Sequence, residues 1–259
     1  MSKQNLLLNL FLAIFILSCA SDDNQTTEPP IKKQKLYKKT EVTNNGIIVA
    51  TNEVFYNQNS KIESMIRDEI SYMIRTFSIA YSSDDVSDIV RISDFDNSAI
   101  PDETITYNNI NIQSTSIILI AENDDKTLEI HHSNGYVDST KLYDTSAPNN
   151  VFEQSFSRNS DNNLISNITG GDQFTYSDFD SEKKIDPYGS VTEYEHGDFF
   201  LIFNLKVTAN NPLTGTYLMN GSTGSYNSYL EYDNEGFVIK TSSEPNATDD
   251  FVIHQYIEQ

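Results

Sequence analysis

The sequence is poor in the residues that most readily reveal a function. Its 259 residues include no tryptophan and a single cysteine, Cys19, so an internal disulfide is excluded and the best side chain for stacking on sugars is missing. Basic residues number 17 against 38 acidic ones, a formal net charge of −21. Such a negative field repels nucleic acid and anionic lipid, which argues against both as partners of the folded domain. Nucleotide-binding loops, a His-Glu-x-x-His motif and a nucleophile elbow are also missing, so no cofactor is expected.

Aromatic and β-forming residues are plentiful by contrast. There are 15 Tyr and 14 Phe, while the hydrophobic content is only 37%. Tyr, Phe, Ile and Thr suit a pleated, half-buried surface, and the low apolar total fits a sheet with one wet face. The composition therefore favours an all-β protein.

The first 18 residues have the character of a secretory signal. Lys3 gives a positive start, and Leu6 to Leu17 is an apolar run too short to cross a membrane. The following Ile16-Leu17-Ser18-Cys19 resembles the lipobox of bacterial lipoproteins. The resemblance implies that Cys19 is lipidated and becomes the mature N-terminus, so that the membrane is a partner through the acyl chains.

Residues 19–35 are expected to be a disordered tether, because the stretch after Cys19 is rich in Asp, Asn, Thr and Pro. Ser21, Asp22 and Asp23 resemble the Ser/Asp-rich export signal of Bacteroidetes surface lipoproteins. That resemblance implies an outer-membrane lipoprotein that faces the cell exterior. The alternative is an acidic tether without a signalling role. The sequence leaves open whether the lipid lies in the inner or the outer leaflet.

Hairpin signals dominate the rest of the chain. Tyr232-Asp233-Asn234-Glu235-Gly236 predicts a type I turn closed by a glycine with positive φ, between two strands. Weaker copies follow upstream at intervals of 25 or 26 residues. This period indicates a repeated two-stranded unit. The residues before the upstream polar turns are Tyr56, Tyr81, Tyr107, His132 and Arg158.

Residues Lys61 to Ala80 are ambiguous between helix and strand. Ile62, Ile66 and Ile70 fit a helical spacing and also one face of a strand. The repeat favours two strands, with a turn near Asp68-Glu69.

The period fails after Phe179. A longer insertion is predicted at about 183–211, which should leave the meander and plug or cap the curved sheet. The segments Lys183-Lys184-Ile185-Asp186-Pro187-Tyr188 and Asn210-Asn211-Pro212, with the hairpin at Tyr232, resemble a secreted Bacteroidetes family of unknown function that has a porin-like fold. The hairpins also resemble those of YD-repeat proteins. The family implies a curved antiparallel meander and no catalytic residues.

Residues 36–259 are accordingly predicted to form one antiparallel meander of repeated β-hairpins, strongly curved or closed into a barrel-like sheet. About twelve to fourteen strands are expected, since each unit holds two strands of ordinary length. A flat open sheet of that width would be unusual.

Two classes of function remain open at this point. The first is a non-catalytic binding or structural module of the envelope, with an unknown glycan or protein ligand. The second is an extracellular glycan- or polymer-degrading hydrolase that uses the acidic cluster Glu193, Glu195, His196 and Asp198, and whether the chain is an enzyme therefore stays undecided. Asp178, Asp180 and Glu182 are candidate ligands for Ca²⁺, because hard cations favour clustered oxygens, with ordinary acidic turns as the alternative.

Overall fold

The computed structural model describes residues 34–70, 72–95, 101–180 and 196–259. They form a 17-stranded sheet and one short helix, α1 (Gly197–Ile202). Within these residues no helix is long and apolar enough to cross a membrane. The strands are β1 (Lys35–Asn44), β2 (Ile47–Tyr56), β3 (Ile62–Glu69), β4 (Met73–Ser82), β5 (Asp85–Asp94), β6 (Glu103–Ile112), β7 (Ser116–Ala121), β8 (Thr127–Ser133), β9 (Tyr136–Asp144), β10 (Ala147–Arg158), β11 (Leu164–Thr169), β12 (Asp172–Asp180), β13 (Asn211–Met219), β14 (Ser222–Asn227), β15 (Tyr229–Tyr232), β16 (Val238–Ser242) and β17 (Phe251–Glu258).

The sheet is an antiparallel meander that closes on itself. Strands follow one another around the sheet in chain order. β14 and β15 are separated only by Ser228 and act as one long strand, which pairs first with β13 and then with β16. β1 pairs with β2 on one side and with β17 on the other, which closes the ring. The predicted all-β, barrel-like meander is confirmed, with more strands than the twelve to fourteen expected.

A salt bridge and aromatic contacts reinforce the closure. The Lys35 ammonium, at the start of β1, pairs with Asp233 and lies 2.8 Å from the Glu235 carboxylate in the β15–β16 turn. The same ammonium lies 4.6 Å from the centre of the Phe237 ring, a cation–π distance. These contacts hold the start of β1 to the turn of the β15–β16 hairpin.

The repeat of 25 or 26 residues corresponds to a structural feature. Each of its five marker residues lies at a register shift of the ladder, a β-bulge, which bends the strand and increases its twist. Strong local twist at regular intervals is what a sheet needs to curl and close. The shifts fall at Phe55/Tyr56, Ala80/Tyr81, Tyr107/Asn109, His131/His132 and Ser157/Arg158.

One side-chain oxygen organises the predicted turn at Asp233. Its Oδ1 accepts the backbone N–H of Glu235 and of Phe237, each at 2.9 Å, and Gly236 takes φ of 85°. Asn57 and Asn159 make the same pair of bonds to the second and fourth residues after them. The two upstream turns lack the glycine and instead place Ser60 and Asn162 at positive φ.

The ambiguous stretch from Lys61 to Ala80 is a hairpin, as the repeat predicted. The turn lies near Asp68-Glu69, as predicted, although both residues still continue the ladder and pair with Ile74 and Met73. The chain reverses after Glu69, whose carbonyl oxygen accepts the N–H of Tyr72 at 2.8 Å.

The core lies on the inner face of the closed sheet and includes α1. Phe199 packs edge-on against Phe77 and Tyr107, with ring centres 5.8 and 5.5 Å apart, and Phe200 packs against Phe156 at 6.1 Å. The buried residues of the segment around the helix belong to one cluster with buried residues of the strands. The described part of the predicted insertion, residues 196–210, packs inside the barrel, and we name it the plug.

Hydrogen bonds fasten the plug to two turns at one end of the barrel. The Lys206 N–H donates to Gly135 O at 2.9 Å, and its carbonyl accepts from Val137 N at 2.8 Å. The Thr208 hydroxyl oxygen accepts the Leu164 N–H at 3.0 Å, and Ala209 N donates to Asn162 O at 2.9 Å. The plug is held by its own backbone as well as by its apolar side chains.

Candidate functional site

The predicted site residues divide into two groups. Cys19, Ser21, Asp22, Asp23, Glu182, Glu193 and Glu195 lie outside the described residues. His196, Asp198, Asp178 and Asp180 are described, and the first two begin the plug. Both are buried, with 6% and 7% of their surface exposed.

Strand alternation places three arginines on the inner face of the barrel, around this start of the helix. Arg67 and Arg75 are cross-strand partners on β3 and β4, and Arg91 lies on β5 opposite Phe77, which packs in the core. Successive residues of a strand point to opposite faces, so these positions share the side of Met65, Phe77 and Ile89. All three arginines act electrostatically on Asp198.

Two of the three arginines have carboxylate partners on the barrel wall. The Arg67 guanidinium lies 2.8 Å from Glu69, and that of Arg91 lies 2.8 Å from Glu103. Among the described carboxylates, none lies within salt-bridge distance of Arg75, whose nearest polar contact is the Met73 sulfur at 3.5 Å from Nη2. Asp198 of the plug is the carboxylate that attracts Arg75 from the interior.

Burial controls the protonation of the two plug residues. Desolvation, together with the positive charges of Arg91 and Arg75, lowers the pKa of His196 to about 4, so the ring is neutral at pH 7. Burial raises the pKa of the Asp198 carboxyl above its usual range, against the pull of the three arginines. Burial and the neighbouring Arg91 likewise lower the pKa of Arg75. Burial therefore disfavours the charged forms of His196, Asp198 and Arg75 alike.

The space beside Asp198 does not admit a substrate. The gap is bordered by Asn52, Met65, Arg67 and Phe77 and is too small for a water molecule. General acid–base chemistry requires the carboxyl to come within hydrogen-bond reach of a reacting group. As placed here, Asp198 binds the plug electrostatically to the wall and meets no solvent.

A concavity lies on the outer face of β12, β13 and β14, where about 420 Å³ is open to solvent. Its lining carries no charged side chain. Beneath it, Gly215 and Gly224 are covered by the rings of Tyr226 and Tyr217, their cross-strand partners. The groove is shallow and uncharged, in contrast to the cluster around Asp198.

The described calcium candidates bond to protein hydroxyls. Asp178 has φ of 52°, and its Oδ2 accepts the Thr214 hydroxyl at 2.9 Å. Asp180 accepts the hydroxyl of Tyr232. Over the described ranges no three His, Cys, Asp or Glu residues are grouped as a metal site would require.

Sequence reasoning found His196 and Asp198 but missed the arginines. A signal was present, because Arg67, Arg75 and Arg91 lie at even spacing from the apolar residues Met65, Phe77 and Ile89, on the face that should be buried. Charged residues at inward positions predict an internal partner.

Comparisons with known proteins identify no family for the chain. No protein-family model matches the chain, and no curated protein matches it. Two of the structural neighbours are porin-like proteins from Bacteroides. One, from Bacteroides vulgatus ATCC 8482, is 11% identical with a TM-score of 0.46, over 86% of this chain and 99% of that one. Another, from Bacteroides uniformis ATCC 8492, is 11% identical with a TM-score of 0.38, over 89% of this chain and 99% of that one.

Proposed function

We propose that the chain is a lipid-anchored protein of the cell envelope, facing the exterior, whose barrel is a non-catalytic binding or structural module. The observation that favours the non-catalytic part is the burial of His196 and Asp198, the described members of the acidic cluster. The gap beside Asp198 is too small for a water molecule. A ligand would therefore meet the outer surface or the turns, not the charged cluster.

The hydrolase alternative requires two carboxyl groups that face a substrate, about 5 to 10 Å apart. Asp198 is enclosed by the barrel wall, where neither a glycan nor a hydrolytic water can reach it. Glu193 and Glu195 lie outside the described residues. The described part of the cluster thus supports a structural role.

The anchoring part of the proposal depends on Cys19 and the apolar run before it. Cys19→Ala should abolish incorporation of a radioactive or clickable fatty acid into the chain in growing cells. A matched Ser18→Ala variant should keep the label, because it leaves the acylated residue in place. Label that persists after Cys19→Ala would refute lipidation at this residue.

The exterior orientation depends on Ser21, Asp22 and Asp23. Replacing both aspartates by alanine should leave the protein lipidated but protected from protease added to whole cells. Replacing Asp161, an exposed aspartate of the folded domain, gives the control. Equal digestion of all three proteins would show that the two aspartates only belong to the tether.

A further inference from the structure

Exposed apolar side chains gather on three neighbouring hairpin tips at one end of the barrel. Ile47 and Tyr72 each expose 68% of their surface, far more than apolar residues elsewhere on the strands. We name this surface the tip patch. Its members are Ile47, Ile48, Val49, Ile70, Tyr72 and Phe95.

The patch is continuous across the strands that carry it. The Ile70 N–H donates to Val49 O at 3.0 Å, which joins the β1–β2 and β3–β4 tips. Asp94 pairs with Ile74 in the β4–β5 ladder, so Phe95 follows beside the β3–β4 turn. Single exposed apolar residues are ordinary on protein surfaces, whereas a contiguous group marks an interaction site.

Carboxylates border the patch on both sides. On one side, the β1–β2 turn is bonded to the loop before β17, where Gly46 N donates to Asp249 O at 2.9 Å and Asn45 N to Asp250 Oδ1 at 2.7 Å. On the other side, the Phe95 N–H donates to Asp102 Oδ2 at 2.6 Å. Asp249, Asp250 and Asp102 are all exposed. The surface is therefore apolar at its centre and negative at its rim.

We propose that the tip patch docks a partner protein, through an apolar surface of that partner flanked by lysine or arginine. Apolar contact at the centre and opposite charge at the rim are complementary on both counts. A second copy of the chain would bring the same carboxylates opposite one another, and anionic lipid would be repelled in the same way.

The patch lies at the end of the barrel remote from the start of β1. β1 runs from Lys35 to Asn44, so the chain enters the barrel at the end opposite the β1–β2 tip. The residues that lead into β1 are therefore separated from the patch by the length of the barrel.

The test is photocrosslinking of the full chain in the cells that make it. A benzoyl-phenylalanine replaces Tyr72 in the patch or, as the control, Ile112, which is 42% exposed at the end of β6 on the opposite end of the barrel. We expect a protein adduct of discrete mass from position 72, at a yield about tenfold above that from position 112. Mass spectrometry of the adduct should place the crosslink in an apolar segment bordered by Lys or Arg.

Charge reversal tests the rim. Asp249→Lys should lower the yield from position 72 about fivefold or more, since it puts a positive charge against a basic partner. Asp161→Lys makes the same change in charge on a turn at the opposite end and should leave the yield unchanged. Fatty-acid labelling of Cys19, measured in the same cells, reports separately on the anchor.

Four outcomes would overturn the proposal: a dimer of this chain, a lipid adduct, an adduct within residues 1–33 of the same chain, or no adduct. An adduct from position 72 whose yield is unchanged by Asp249→Lys would also overturn it.

Discussion

Acidification should destabilise the barrel through His196. The ring lies in the interior at the start of the plug, and burial and two arginines lower its pKa from 6.5 to about 4. In the unfolded chain the same ring titrates near its ordinary value. Above that value the ring is neutral in both states and contributes nothing to the pH dependence. Below the pKa of the unfolded chain, the unfolded state binds a proton at His196 that the folded state does not bind. The free energy of unfolding therefore falls as the pH falls.

The size of the effect follows from the shift. The window runs from pH 6.5 down to about 4, the two pKa values of the ring. Each unit of pKa difference corresponds to about 1.4 kcal/mol, so the loss across the window should reach about 3 kcal/mol. Asp198 acts in the opposite sense, because its raised pKa lets the folded state take up a proton first. The two effects must be separated by substitution.

Urea unfolding measured at intervals from pH 7 to pH 4 gives the required free energies. His196→Phe keeps a ring of similar size and removes the titration, and Asp198 is present in both proteins. The wild-type protein should lose about 3 kcal/mol relative to this variant between pH 7 and pH 4. His131→Gln is the control, since this ring is partly exposed beside Glu129. Parallel pH profiles for the wild type and His196→Phe would refute the assignment of a buried neutral ring.

Three further changes test the packing by urea unfolding at pH 7. Gly215→Ala should cost about 1–3 kcal/mol, because a methyl group would overlap the Thr175 carbonyl, whereas Gly171→Ala, with open space around it, should cost far less; equal losses would contradict the crowding. Ser60→Gly should stabilise by up to about 1 kcal/mol, since serine holds a φ of 59° there, and a loss of stability would contradict that strain. Phe200→Ala should cost about 3–5 kcal/mol as a fully buried ring is removed; a loss below 1 kcal/mol would show that the plug does not support the barrel.

The sheet was predictable because its signals are local. Asp233 and Gly236 specify a turn within four residues, and the turns that follow Tyr56 and Arg158 repeat that geometry. The same reasoning placed the reversal after β3 to within a residue or two, because Asp68 and Glu69 look like turn residues. Both stay in the ladder, where the Glu69 carboxylate is held by Arg67, two residues earlier on the same strand.

The charged interior was only half predictable for a related reason. Asp198 stood out because acidic residues cluster around it in the sequence, but its surroundings come from β3, β4 and β5, more than a hundred residues upstream. Arg67, Arg75 and Arg91 are each unremarkable on their own strands. They become a site only when the sheet curls and brings their inner faces around one carboxylate.

The sequence of the plug has no periodic pattern that would predict its secondary structure. α1 has six residues, below the roughly twelve that an isolated helix needs to persist in water, so tertiary packing must create it. Five of the six are buried, and a helix surrounded by protein has no polar face to mark its period. The apolar run from Phe199 to Val207 is therefore compatible with either a strand or a helix. Its structure is dictated by the interior that Phe77, Tyr107 and Phe156 enclose, and that interior in turn is filled only when the plug is present.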